Sequence, residues 1–322
     1  MEYIRKPWVI VPIVILLLFV LLGWYWSHEP TQPIMERSTD NVQPVVGVAT
    51  TSALIGATAT LLNKRGGYLS NDITPPSVFL DNVPNWEFGV LQQIRDLAKS
   101  MRNDYSRSQT QSLADPDLEI AEPKFNVDSN SWLFPSAEGE YKEGIEALEK
   151  YLKRLSDPSQ RDAQFYARAD NLNEWLSLVE KRLGSLSQRL SKARALIRVN
   201  TDLAGDPNAQ QSTATQSEIV TETSWFEIDD NFYEARGTSW ALLHFLHAAE
   251  VDFGPVLRDK NAIPTLRQVI RELEATQQSV TSPMILNGSG LGMFANHSLV
   301  MSSYIARANS AIADLRRLLD DG

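Results

Sequence analysis

The chain has 322 residues, a formal net charge of −10 and no cysteine. Without a thiol, disulfides, cysteine nucleophiles and Cys-ligated zinc or iron–sulfur sites are excluded. An acidic balance with no dense Lys/Arg tract argues against nucleic acid as a partner, and against docking on anionic lipid headgroups.

The first element in chain order is an uncharged run from Trp8 to Trp26, WVIVPIVILLLFVLLGWYW. Nineteen residues at the helical rise cover about 28 Å, close to the roughly 30 Å hydrocarbon core of a bilayer. A cleaved signal peptide has a shorter apolar region followed by small residues. This run ends instead in Trp24, Tyr25 and Trp26, with Tyr3 and Trp8 at its other end, as interfacial belts would. Arg5 and Lys6 precede it, and no Lys or Arg follows until Arg37. The positive-inside rule then keeps the N-terminus in the cytoplasm and sends the remainder across. Removing Glu2, Arg5 and Lys6 (net +1) from −10 leaves −11 beyond the membrane. The expected organisation is a stub and transmembrane anchor over 1–27, a juxtamembrane linker over 28–43, and a helical domain over 44–322.

Within that domain, Val45–Leu62 reads as an apolar, Thr-rich helix stopped by Asn63, Lys64, Arg65 and Gly66. Asn85 is a candidate cap for a helix with Leu91, Ile94, Ala98, Met101 and Tyr105 inward. Ser106–Pro135 reads as irregular, and Tyr141–Leu155 as amphipathic helix. Asp157 and Gln160 suggest a capping box around Pro158. Behind them a heptad seam runs Phe165, Ala169, Leu172, Leu176, Val179, Leu183, Leu186, Leu190, Ala193, Ile197, predicting a helix of about 40 residues and 60 Å. Its partner is expected to be an antiparallel helix of this chain, with a second copy as the alternative. Residues 201–223 read as a mobile polar loop. Asp229 or Asp230 is expected to cap a helix to Phe253 that is apolar on two sides, with Tyr233, Trp240 and Val251 on the second. Asn261 opens a helix with Leu266, Val269, Ile270 and Leu273 inward, and Met301–Leu319 closes the chain. No period-two stretch long enough for a sheet is found. The fold class is all-α: an elongated bundle behind an anchor.

Candidate chemistry is sparse. His244, His247 and Glu250 fall on one flank of the central helix at spacings that suit a divalent metal, without matching the zincin or di-iron orders. Two histidines held at the edge of a core beside Trp240 is the simpler reading. Asn287–Gly292, NGSGLG, is a glycine-rich turn able to cradle an anion, but no strand or G-K-[ST] accompanies it. Ser289 with Asn296 and His297 lacks a third catalytic member. Glu222–Arg236 and Asp81–Phe88 mix acids with aromatics, as a basic or sugar partner would need, or as capped helix starts would.

The blocks GGYLSNDITPPSVFLDNVPNWEFGVLQQIRD, ARADNLNEWLSLVEKRLGSLSQRLS, IDDNFYEARGTSWALLHFLHAAEVDF and SPMILNGSGLGMFANHSLVMSSYIARAN resemble a bacterial family, domain of unknown function 2333, over the whole chain beyond the anchor. The resemblance implies a single-pass inner-membrane protein and brings no activity, cofactor or catalytic residue. The expected function is a non-enzymatic scaffold or interaction protein of the cell envelope. Its partners would be the membrane and an envelope protein or a second copy. The alternatives are a metal-dependent hydrolase using His244, His247 and Glu250, or a lipid or small-ligand carrier. Cofactors are expected to be none.

Overall fold

The computed structural model describes residues 7–31, 45–108, 113–157, 159–160, 162–193, 196–199, 218–282, 284–289 and 293–321. Helix α1 covers Pro7–Trp26 and α2 Val48–Asn63. Helix α3, Asn82–Ser100, continues as a wider π turn through Met101–Tyr105. Next come α4 (Pro116–Phe125), α5 (Ala137–Ser156) and α6 (Ala169–Ser191). A ribbon of β1 (Leu196–Val199) and β2 (Glu218–Thr221) leads to α7, Ile228–Asp252. The chain closes with α8 (Gly254–Asp259), α9 (Ile263–Thr276) and α10 (His297–Asp320).

The centre of the bundle is α7, whose buried positions include Phe232, Ala235, Leu242, Leu246 and Ala249, with Trp240 on a second side. It runs alongside α3 in the same direction: Asn85 donates to Asp230 near one end (2.6 Å), and Tyr105 meets Phe253 at the other, ring centroids 5.3 Å apart. Two glycines let these helices touch. A Cβ on Gly237 would lie 2.0 Å from the carbonyl oxygen of Trp86, and one on Gly89 2.2 Å from that of Glu234. Side-chain spacing cannot bring two backbones this near; the missing Cβ can. Helices α2, α6 and α9 run against this pair, and α10 runs against α6 and α9. Lys64–Glu87, Arg189–Glu234 and Arg236 donating to the Thr276 carbonyl fix one end. Thr50–Asp252, Asn171–Asp104 and Lys260 donating to the Asp321 carbonyl fix the other.

The bundle is all-helical as expected, with corrections in detail. The heptad helix is shorter than about 40 residues, spanning the 23 of Ala169–Ser191. Its first seam residue, Phe165, precedes the helix and packs in an aromatic cluster with Tyr105 and Phe253. Ile197 lies in β1, which pairs antiparallel with β2, so a short two-stranded ribbon exists where no sheet was expected. Asp157 does not open a helix. It follows α5, and its side chain accepts from Ser159 N and Gln160 Nε2 in a local turn. The seam's partner is antiparallel and within this chain, chiefly α10, where Arg316 pairs with Glu180 and Ser187 meets Ser302.

Other ends also move. Asp81, not Asn85, precedes α3 and accepts from Asn82 N. Asp229 and Asp230 fall inside the first turn of α7, and Val251 is half exposed instead of buried. The stretch 106–135 contains α4, capped by Asp115 with Pro116 in the first turn. Most of the expected loop 201–223, namely 201–217, lies outside the described residues, as does the linker from 32 to its end at 43. The expected anchor is a helix over Pro7–Trp26, its side chains described from Ile10 onward. Among the described residues no helix is long and apolar enough to cross a membrane. The membrane span is therefore carried forward as a proposal.

Candidate functional site: the seat of the N-terminal helix

The histidine flank of α7 does not assemble into a ligand set. His244 is buried against Trp240, ring centroids 4.2 Å apart, and its Nε2 has no hydrogen-bond partner within the protein. Burial, then the neighbouring His247, lowers its pKa to about 4, so it sits in the bundle as a neutral ring. Glu250 turns to Arg267 of α9, with its Oε1 2.7 Å from the guanidinium. Among the described residues no group of three His, Asp or Glu side chains is placed to hold a metal ion.

The glycine-rich turn is partly outside the described residues, which omit 290–292. In its described part, Asn296 caps α10 by accepting from Leu299 N (2.9 Å) and donates to Asn287 Oδ1 and the Gly288 carbonyl (both 2.8 Å). His297 Nδ1 accepts from Leu286 N at 3.0 Å. These partners give Asn296 and His297 structural work, and Ser289 is exposed beside them.

The two acid–aromatic clusters meet. Asp81, Glu227, Asp229 and Asp230 face each other where α3 and α7 begin. Partial burial, then Asp229, Asp81, Glu227 and Glu234, pushes the Asp230 carboxyl up to about 6. Beside them, a cleft of about 330 Å³ between α3, α6 and α7 is lined by Gln92, Lys181 and the ion pairs Arg182–Asp96 and Arg189–Glu234. Four of its charged side chains are paired with one another, which leaves Lys181 as the unpaired charge among the described lining residues.

The best-built feature is the seat that holds the base of α1. Arg236 is the one Lys or Arg of α7, and it is buried. Its guanidinium donates to both oxygens of Glu29 (2.6–3.0 Å) and to the carbonyls of Thr276 (2.9 Å) and Gln278 (2.8 Å). A planar fork with five donors suits this four-acceptor cup, whereas a lysine would leave acceptors orphaned. Above it, Trp26 lies on Gly66, where a Cβ would come within 2.8 Å of the indole. Gly66 has φ +84°, the left-handed region open to glycine, in the turn that follows α2. Arg65 stands over the Tyr25 ring at 5.1 Å. One turn earlier, Gly23 is buried under Pro76 and Leu80.

A second buried pair supports the seat from below. Lys64 Nζ lies 2.5 Å from Glu87 Oε1 and donates to the Gly67 carbonyl, while Glu87 also accepts from Leu69 N and Ser70 N (both 2.8 Å). Burial pushes the Glu87 carboxyl up against the pull of Lys64. This network locks residues 64–70, and with them the surface under Trp26. Sequence reasoning missed the seat, although Arg236, the one Lys or Arg of a central helix with apolar residues on two sides, was a usable signal that a buried partner exists.

Fold and seat together define a helical-bundle protein with an apolar N-terminal helix held at its base by Arg236–Glu29 and by Trp26 on Gly66. The chain belongs to the bacterial family described as "uncharacterized protein conserved in bacteria", DUF2333, whose model matches residues 3–322. No curated protein and no solved structure matches it significantly.

Proposed function

We propose that this is a single-pass membrane protein of the bacterial envelope, anchored by α1, with its N-terminus cytoplasmic and its bundle periplasmic. The observation that carries the reading is the seated helix itself. From Pro7 to Trp26 it has 20 residues and no charge, about 30 Å at the helical rise, matching a hydrocarbon core. The 17 positions with described side chains, 10–26, cover only about 26 Å, so the proposal rests on the full helix. Beyond the seat its apolar side chains, such as Leu16, Leu17 and Leu21, stand exposed, more than half of each open to solvent. A helix apolar on every face wants lipid or protein around it. Arg5 and Lys6 support the orientation.

The bundle is proposed to scaffold or bind another envelope component, a role consistent with its long solvent-facing helices and acidic surface. Carbonate washing of membranes carrying the intact protein, followed by protease treatment from the periplasmic side, tests the anchor. Retention with digestion of the bundle is expected; release into the wash ends the reading. Crosslinking the intact protein in mild detergent tests the scaffold role, for which a defined partner or self-assembly is expected and a strictly monomeric, uncrosslinked chain counts against it.

A further inference from the structure

We propose that the end of the bundle from which α1 emerges is itself a membrane-contacting surface, seated in the headgroup–acyl boundary of the bilayer that holds α1. This rests on the anchor reading and adds a second, independent mode of lipid contact.

Four connections, distant in sequence, gather at that end. They are the α2–α3 loop, the α4–α5 loop, the segment before α7, and the α9–α10 loop. Tyr68 Oη and Asn71 Nδ2 tie the first to the second through the carbonyls of Ser129 and Ser131. Arg236 ties the fourth to Glu29 at the foot of α1. Each connection points aromatic side chains outward: Phe79, Trp132, Phe134, Trp225, Phe226 and Phe294. Phe79, Phe226 and Phe134 are 78 %, 83 % and 92 % exposed. Among the described residues every other exposed aromatic belongs to α1 itself or is Phe88, in the second turn of α3. At the opposite end the exposed large apolar residues are Val45, Val46, Leu113 and Val251. A patch this concentrated on a soluble face signals an apolar occupant.

The depth of α1 identifies that occupant. Pro76 and Leu80 pack on Gly23, three residues before Trp26 and so about 4.5 Å further along the helix toward the membrane. With Trp24, Tyr25 and Trp26 at the interface, the 73–80 loop lies at the depth of lipid, and Tyr68 and Asn71 hold the α4–α5 loop to that same connection. Glu29 is clamped, so no flexible stretch lets the bundle stand off. Trp and Phe are the residues that interfacial seating favours. The acids among them, Asp72, Asp81, Asp128 and Asp229, keep the end shallow and favour zwitterionic over anionic headgroups.

The cysteine-free chain allows a direct test. Single-cysteine variants of the full-length protein, Phe79→Cys, Phe134→Cys and Phe226→Cys, with Leu17→Cys and Leu113→Cys as references, carry a spin label in phosphatidylcholine vesicles. The first three are expected to lose accessibility to a water-soluble relaxing agent several-fold relative to Leu113→Cys. Shielding at 17 with full exposure at 79, 134 and 226 overturns this inference and leaves the anchor standing. Shielding at those three with exposure at 17 supports lipid contact by the bundle while removing the anchor. Equal shielding in detergent micelles of dimeric protein, lost on dilution to monomer, assigns the surface to a second copy and overturns the proposal.

Discussion

The two ends of the bundle are built on opposite plans. At the distal end polar groups are turned inward: Asp252 accepts from both the N–H and the hydroxyl of Thr50 at 2.7 Å, capping α2 from across the bundle. Around it Tyr105, Phe165 and Phe253 close an aromatic cluster with little apolar surface left outside. At the α1 end a second set of aromatics, on the loops, stands outside over buried Trp86, Tyr68 and Phe232, and the interior holds paired charge, Lys64–Glu87 and Arg236–Glu29. Loops that project greasy side chains would collapse onto the bundle unless pinned, and buried ion pairs with backbone hydrogen bonds pin them. The distal end is built for closure, the α1 end for presenting a fixed apolar surface.

The sharpest way to break that rigidity is at the α3–α7 crossing. Gly237→Ala places a methyl 2.0 Å from the Trp86 carbonyl oxygen, where only backbone could yield. Chemical denaturation should show a loss of about 3 kcal/mol, at the upper end of overpacking costs. The same substitution at Gly56 on α2 meets nothing within 4 Å. Gly56→Ala should therefore gain about 1 kcal/mol from the helix backbone alone. Equal effects at the two sites would show that the close crossing does not set the stability of this end.

Next in size is the buried pair. Lys64→Met leaves the Glu87 carboxylate buried without its counter-charge, at a cost of about 3 kcal/mol. The double variant Lys64→Met/Glu87→Gln should recover part of that loss, because a neutral amide still accepts from Leu69 N. A double-mutant cycle by urea denaturation measures the coupling. If the single and double variants are equally unstable, the charge pair is not what holds residues 64–70.

How far this contrast was legible in the sequence depends on the kind of interaction. Apolar spacing located the helices, and the seams through Leu91–Tyr105 and Leu172–Leu190 are buried as their periods require. Helix ends were less legible, because Asp81 and Asn85 are both competent caps four residues apart and only tertiary contact chooses between them. Phe165 and Ile197 fitted the heptad by number alone, and a period says nothing about where a helix stops. The contacts that distinguish the two ends were invisible for a different reason: Arg236–Glu29 and Thr50–Asp252 join residues about 200 positions apart. Nor does any local pattern mark Gly89 and Gly237 as neighbours. The same holds for the histidine flank, where Arg267, which occupies Glu250, comes from another helix.

The distal end offers a smaller test. Asp252→Ala removes the side chain that caps the first turn of α2, whose own N-cap position is Gly47. Loss of a buried acceptor for Thr50 N and Oγ1 should cost about 2 kcal/mol. Hydrogen exchange should then quicken in the first turn of α2 and leave the 64–70 segment protected. Faster exchange at both ends would mean that they do not behave as separate units.

The smallest effect has the opposite sign and belongs to the α1 end. Partial burial and neighbouring carboxylates hold Asp230 at about 6 against 3.8 for a free side chain. The folded state thus binds this proton more tightly than the unfolded chain, so this group's contribution to stability is full below about pH 4 and is lost as pH rises through about 6. Asp230→Asn removes that dependence while keeping an oxygen to accept from Asn85 Nδ2. Two effects oppose the gain: solvent screens a half-exposed carboxylate, and a negative charge in the first turn of α7 favours the helix dipole. The balance should leave the variant about 0.5 kcal/mol more stable at pH 7, with the difference vanishing below pH 4. Thermal unfolding across that range separates the contributions. A variant less stable at pH 7 would mean that the dipole outweighs the crowding of Asp81, Glu227 and Asp229, and that the acids of this end stabilise it as they stand.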